Sequence, residues 1–509
     1  MSNHDVLIVG AGHNALVCAT FLARAGRRVH VLERSDTIGG ATRTERPFPK
    51  APDVQCSTGA YLLGLMPPEL VQKLEVDIPL IRRDPHYFLP TTGERYLLMG
   101  SDRDAVRDQM VAHFGQADWD ADQRLAAELD AFREDVGPAW MAAPLSIEET
   151  AERYVRAELR DAFVGLCRGS IGDYLERFGF ESDLLKAMYA VTDGFTGLNG
   201  DWDTPGTGMN FLIHNMCRLP GAGGTWMVVA GGMGTVARTL EKAARDAGVT
   251  FETGAEVVAA DVEEGVARGV TLADGRSLRA PTVVFGTDPF RFAELAPFPD
   301  EFQAKVEDWR RDGTTLKLNL CLDALPEFRS LPEDLGQHRG TIHLLPDEDV
   351  VLDTLRESFA DVRAGKLPEF PAIEWYIHTT VDPSLSDVEG RHSAALFVQW
   401  VPYALEGTTW EAEESRYAEH LLSICDRFAP GTSDLVVDTY PLTPPKLEER
   451  FGLTRGHIHH LDNAFGFDDR VPHRLPVGGL YACGAGCHPG GSVIGAAGHN
   501  AAMQILEDG

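Results

Sequence analysis

Apolar positions change their rhythm along this chain, and each rhythm predicts an element. Residues 6–9 form an unbroken apolar run that meets Gly10. Ala15, Cys18, Ala19, Leu22 and Ala25 then recur at helical spacing, and Gly26 follows. The pattern predicts a strand, a glycine turn and a helix whose small-residue face lies on a sheet, with Gly26 closing it in a left-handed conformation. Residues 29–32 predict a second strand, ending at Glu33. Segments 103–114, 122–136, 146–158 and 171–178 are amphipathic with helical period. After Gly231 to Gly234 a helix is expected over 235–247, then strands at 249–252, 256–262, 266–272 and 282–285, with Asp274-Gly275 as a hairpin turn. Residues 314–322 alternate polar and apolar side chains, the mark of a half-buried strand. Strands are also expected at 373–379 and 394–401, and a helix at 410–428. The chain closes with a strand, two glycine turns and a helix within residues 479–505.

The opening elements carry chemistry. Gly10 permits a tight turn, and Gly12 lets a pyrophosphate approach the backbone. Ala15 stands where a third glycine often does and lets helix and strand pack closely. The helix start directs free N–H groups and partial positive charge at the phosphates. Glu33, about twenty residues beyond the glycines, can accept hydrogen bonds from a ribose hydroxyl pair and repels a 2′-phosphate. These coincident features predict a dinucleotide-binding βαβ unit.

Composition narrows the class. With 509 residues the chain is long enough for two or three domains and a large core. A net charge of −31 without a basic cluster argues against nucleic acid and anionic membrane surfaces as partners. The eight cysteines include no Cys-x-x-Cys pair, and Cys483 and Cys487 do not have zinc spacing. They are expected as buried thiols in a reducing compartment. With neither a signal peptide nor a membrane-length apolar run, the expectation is a cytoplasmic protein with no integral membrane segment. His457, His459 and His460 lie in a polar run and are expected in a solvated loop, with no metal site.

Beyond Glu33 comes a Gly39-Gly40-Ala41-Thr42-Arg43 loop, and near the other end stands Cys483-Gly-Ala-Gly-Cys-His-Pro-Gly-Gly-Ser-Val-Ile494. Together with Gly10-Ala-Gly-His13-Asn14 and Phe397-Val-Gln-Trp-Val-Pro-Tyr403, these motifs resemble the phytoene desaturase and amine oxidase superfamily of flavoproteins. Within it they resemble the branch similar to pyridine nucleotide-disulfide oxidoreductase domain-containing protein 2. The resemblance covers essentially the whole chain and is looser over 100–225.

It implies an α/β fold: a discontinuous, Rossmann-like FAD-binding domain of glutathione-reductase type, with an inserted α+β substrate domain and a helical cap. The FAD domain is expected from residues 1–65, 225–290 and 441–509, and the substrate and cap domain from 66–224 and 291–440. FAD is the implied cofactor. Its implied contacts are Gly10, Gly12, His13, Asn14, Ala15, Glu33, Arg34, Gly39, Gly40, Ala41, Thr42, Arg43, Gly484 and a backbone contact at Val257. A helix expected to start near Val493 offers the N–H groups of Ser492, Val493 and Ile494 to the flavin's pyrimidine end.

The implied activity is an FAD-dependent oxidoreductase that moves a hydride from a substrate C–H bond to flavin N5, leaving a C=C bond in a small apolar or cyclic substrate. Oxygen or a quinone is the expected electron acceptor, and a homodimer is compatible with the sequence. Lys317, inside an apolar strand, is a catalytic candidate, because related amine oxidases place a lysine near N5 on a comparable strand; a solvent-facing strand lysine is the competing reading. His488, in the C-terminal glycine block, is a second candidate, set against a structural turn histidine. The alternatives are an amine oxidase forming C=N, which calls for aromatics such as Trp400 and Tyr403 about the flavin, a redox-neutral isomerase, and a non-catalytic binding protein.

Overall fold

The structure is a computed structural model that describes residues 4–509. A five-stranded parallel sheet gathers strands from the beginning, middle and end of the chain. Its order is Leu480–Ala482, Thr282–Phe285, Val6–Val9, Val29–Glu33, Thr250–Thr253. Both faces are covered, which is why its strands read as unbroken apolar runs. Val6 and Ile8 meet Ala15, Cys18, Ala19 and Leu22 of helix His13–Arg24. Leu7 and Val9 meet the antiparallel sheet of Val257–Glu263, Val266–Leu272 and Ser277–Arg279. Helices Gly234–Asp246 and Ala496–Asp508 flank His13–Arg24. The contact with the last helix depends on Gly498, where a Cβ would lie 2.0 Å from the Asn14 carbonyl oxygen. This is a Rossmann-like architecture.

A seven-stranded mixed sheet faces it, ordered Val436–Leu442, Thr315–Leu322, His392–Gln399, Ala372–Ile377, Thr341–Leu344, Tyr87–Pro90, Tyr96–Met99. One face carries Leu316, Leu318, Leu320, Leu396, Val398, Ile373 and Trp375 into a core shared with helix Trp410–Phe428. The other face carries Lys317, Phe397 and Glu374 on one transverse row, since Lys317 and Glu374 both pair in register with Phe397. A third core joins the helices between Arg103–His113 and Thr207–His214.

Four local expectations change. Thr315–Leu322 alternates as read, yet every residue in it is buried: on its polar side Thr315 and Lys317 line an internal cavity, while Asn319 and Cys321 are covered by Cys56 and its neighbours. His457 and His459 are buried rather than solvated. The segment 146–158 is helical only over Ile147–Tyr154, followed by a 3-10 turn at Ala157–Leu159. The last helix starts at Ala496, because Gly495 caps it at φ +79°. All eight cysteines are buried and unpaired. Among the described residues no helix is long and apolar enough to cross a membrane.

Candidate functional site

A cavity of about 640 Å³ runs from the carboxyl ends of the parallel strands to the inner face of the seven-stranded sheet. At the sheet end nearest the N-terminus, Gly10 turns the chain at φ +91°. Gly12 is extended (φ −71°), and a Cβ there would meet nothing within 4 Å, so its Cα faces open space. Gly12 also forms an isolated bridge with Gly39, and a Cβ on Gly40 would sit 3.3 Å from the Gly12 Cα. Two glycine turns thus lie back to back along one wall. The Glu33 carboxylate accepts the Ala11 N–H (2.8 Å) with one oxygen and the Ser35 N–H (2.9 Å) with the other. Each oxygen keeps a lone pair for a second donor. Arg43 is fixed by bonds from Nε to the Gly40 carbonyl (2.7 Å) and from Nη2 to Ser35 Oγ (3.0 Å).

Helix His13–Arg24 begins at Gly12 with no side-chain cap and no acidic residue in its first turn. Its free N–H groups therefore point at the cavity with the positive end of the helix dipole. His13 Nε2, Asn14 Oδ1 and Thr287 Oγ1 are buried at the same wall without protein partners. An open glycine Cα, unclaimed helix N–H groups and orphaned buried polar atoms match the donors and acceptors that a dinucleotide requires.

The other end of the cavity holds a buried polar cluster. Lys317 is 3% exposed. Its Nζ donates to the carbonyls of Ser57 and Gly59 (2.8 Å to Gly59) and lies 4.7 Å from the Tyr61 ring centroid. Burial lowers its pKa to about 8. Across Phe397, Glu374 accepts the Tyr376 hydroxyl, and burial raises its pKa to about 8. Asp193, in a π-helical turn that Asn210 holds through three backbone carbonyls, is raised by burial to about 7. Leu62, Trp226, Phe397 and Ile458 supply apolar wall between these groups.

Most of the residues expected at the cofactor line this cavity: Gly10, Gly12, His13, Asn14, Glu33, Arg34, Gly39, Gly40, Ala41, Thr42, Arg43, Val257, Ser492 and Val493, with Lys317 at the far end. Ala15, Gly484, Ile494 and His488 are not among its lining. Ala15 packs beneath Gly286, where a Cβ would come within 2.9 Å of its own, and so spaces helix from strand. Gly484 lies against the Thr287 carbonyl, 2.6 Å from where its Cβ would be. The Ile494 N–H is spent on the Ser492 carbonyl (3.1 Å), because the chain turns here before the helix begins. His488 bonds the Ala139 carbonyl (3.0 Å) and meets Phe467 edge-on, which is a structural role.

Trp400 and Tyr403 do not form an aromatic pair at the cavity. Trp400 donates to the Gly200 carbonyl (3.1 Å) and packs on Phe195 and Phe359. Tyr403 donates to Glu448 (2.5 Å) beneath Arg455. Sequence reasoning missed Glu374, Asp193 and Tyr61. The Glu374 signal was the one used for Lys317: a single ionisable residue within an apolar strand. His459 and His460 also line the cavity, each with Nδ1 buried and unpartnered.

Residues 16–347 match the family of flavin containing amine oxidoreductases. The chain belongs to that family. It is an FAD-dependent oxidoreductase of the amine oxidase and desaturase superfamily. This flavoenzyme is 34% identical to mouse (Mus musculus) pyridine nucleotide-disulfide oxidoreductase domain-containing protein 2, over 99% of this chain and 94% of the mouse protein. It is 28% identical to hydroxyneurosporene desaturase of Cereibacter sphaeroides, over 99% and 97% of the two chains. Putrescine oxidase bound to putrescine shares the fold, with a TM-score of 0.61 at 17% identity, covering 99% of this chain and 98% of that one. The flavoenzyme's cofactor is FAD, and its substrate is a small molecule. The glycine wall, Glu33 and Arg43 are the groups fitted to hold the dinucleotide.

Proposed function

We propose that the enzyme is a dehydrogenase of desaturase type, forming a C=C bond in a small substrate with an apolar or cyclic skeleton. The observation that carries this reading is the apolar cluster of Leu62, Trp226, Phe397 and Ile458, which lines the same cavity as the dinucleotide cradle and Lys317. Such a wall binds a hydrocarbon skeleton and keeps water from it. The similarity to a desaturase along the full chain supports the same reading.

Bound FAD supplies the two-electron acceptor, and the protein supplies binding, orientation and proton handling. Lys317 is fitted to proton handling, because a buried amine whose pKa is lowered to about 8 exchanges a proton near neutral pH. The Ser57 and Gly59 carbonyls fix its Nζ. The electron acceptor is proposed to be oxygen or a quinone.

The test is anaerobic mixing with cyclic ketones, acids, amines and carotenoids, following loss of the flavin's visible absorbance. Bleaching by compounds with adjacent C–H bonds supports the reading. Bleaching by amines alone overturns it in favour of C=N formation.

A further inference from the structure

The closed end of the cavity holds more polarity than a hydrocarbon can satisfy. Glu374 is 3% exposed and lines the cavity on the row it shares with Phe397 and Lys317. Its Oε2 accepts the Tyr376 hydroxyl. Its Oε1 lies 3.4 Å from Thr196 Oγ1, whose proton is committed to the Thr192 carbonyl at 2.6 Å. Oε1 is therefore left to the cavity.

We propose that Glu374 donates a hydrogen bond from Oε1 to a carbonyl or hydroxyl oxygen on the substrate, with Tyr376 as the positioning residue that fixes the carboxyl. The substrate class is an apolar or cyclic skeleton bearing one oxygen function. This inference rests on the desaturase reading of the same site.

The surroundings keep the carboxyl neutral. Among the described residues no Lys, Arg or His forms an ion pair with Glu374. Arg83 lies near it and its charge favours ionisation, but it directs its hydrogen bonds to the Trp226 carbonyl (3.1 Å) and Thr341 Oγ1 (2.8 Å) rather than to the carboxyl. Asp193 faces Glu374 from the π-helical turn and opposes its ionisation; the Tyr376 hydroxyl and Thr196 favour the carboxylate, but burial outweighs them. Tyr61 and Tyr87 stand beside it, and burial pushes both phenols up. His343 pairs with Glu374 in register, and burial lowers it to about 3, so it brings no charge. Burial thus leaves Glu374 with its proton at neutral pH.

A protonated carboxyl with one oxygen tied to Tyr376 offers its O–H to an acceptor. A saturated hydrocarbon has no acceptor and strands that donor in a dry site. An ammonium has donors only, and it meets the buried cations Arg83 and Lys317 nearby. A ketone or alcohol oxygen satisfies the donor.

The experiment titrates oxidised, FAD-loaded protein with cyclohexanone, cyclohexanol, methylcyclohexane and cyclohexylamine. It reads the perturbation of the flavin spectrum and the ligand-induced shift in melting temperature. Cyclohexanone or cyclohexanol is expected to bind roughly tenfold or more tightly than methylcyclohexane. Glu374→Leu is expected to erase that difference while keeping FAD content. Glu374→Gln, which retains an N–H donor, is expected to keep most of it. Tyr376→Phe, which leaves the carboxyl in place but unfixed, is expected to weaken ketone binding severalfold. Equal ketone affinity in wild type and Glu374→Leu overturns the proposal. So does failure of both oxygenated probes to bind, or binding of the amine alone. Binding is read without turnover and bleaching with it, so the two readings fail separately. Ketone binding through Glu374 together with bleaching by amines alone sinks desaturation only, whereas bleaching by hydrocarbons alone sinks the oxygen requirement only.

Discussion

Lys317 and Glu374 stand on one transverse row of the seven-stranded sheet, each in register with Phe397 between them. One is a buried base whose pKa falls to about 8, the other a buried acid whose pKa rises to about 8. Burial drives both shifts, because a low-dielectric site disfavours either charged form. Near neutral pH the sheet thus presents a protonated carboxyl and an ammonium poised to release its proton to one apolar chamber, with an aromatic ring between them.

Gly12→Val tests the dinucleotide wall. A Cβ at Gly12 meets no protein atom within 4 Å and needs no unusual backbone angle, so the apoprotein is expected to melt as the wild-type apoprotein does. FAD affinity is expected to fall roughly 10–100-fold, the scale of forcing about 1–3 kcal/mol of overpacking at the contact. Gly39→Ala gives the opposite result: at φ +127°, with its Cβ 2.8 Å from that of Ala237, it is expected to lower the melting temperature of the apoprotein itself. Equal FAD affinity in Gly12→Val and wild type, measured by fluorescence titration, refutes the assignment.

Lys317→Met keeps the length of the side chain and removes the amine. With a substrate found in the bleaching panel, anaerobic reduction is expected to slow by roughly 100-fold, the scale of losing one proton-handling group. The wild-type rate is expected to change with an ionisation near pH 8, the value to which burial lowers Lys317. A variant that bleaches at the wild-type rate with an unaltered pH profile excludes the role.

Acid stability follows from the buried histidines. Burial lowers His13, His86, His214 and His473 to about 4, and His343, His378 and His488 to about 3. The unfolded chain takes up protons at its ordinary histidine pKa near 6.5. Between that value and about 4 the unfolded state binds more protons than the folded one, so stability falls as pH falls. The melting temperature is expected to decline progressively from pH 6.5 toward pH 4, because these seven rings outweigh the opposite effect of the two raised carboxyls Asp193 and Glu374. A flat melting curve from pH 7 to pH 5 contradicts the burial of these rings.

Trp400→Ala separates packing from chemistry. Trp400 is fully buried against Phe195 and Phe359, away from the cavity lining. Its truncation is expected to cost about 3–5 kcal/mol in a denaturant titration. The visible spectrum of FAD in the folded variant is expected to match wild type. A shifted flavin spectrum without a loss of stability restores the aromatic-pair reading.

The glycine turns and the strands around Val6–Val9 were legible because their causes are local. A run of apolar residues, a left-handed glycine and a helix start at a glycine are all set by near neighbours in the chain. Alternation in Thr315–Leu322 was legible too, since side chains alternate across any strand. It reports two environments without saying which is water. Here the Lys317 side faces a chamber walled by Tyr61 and Phe397. The same ambiguity hid His459 and His460, whose polarity read as solvation.

The sequence by itself therefore determined the glycine turns, the cofactor class and the strands that carry the candidate site. Only the tertiary structure decided which polar residues meet. Ser57, Lys317 and Glu374 are far apart in the chain, and the row joining the last two exists only through sheet register with Phe397. Their protonation follows burial, a property of everything packed around them, and no local pattern encodes that.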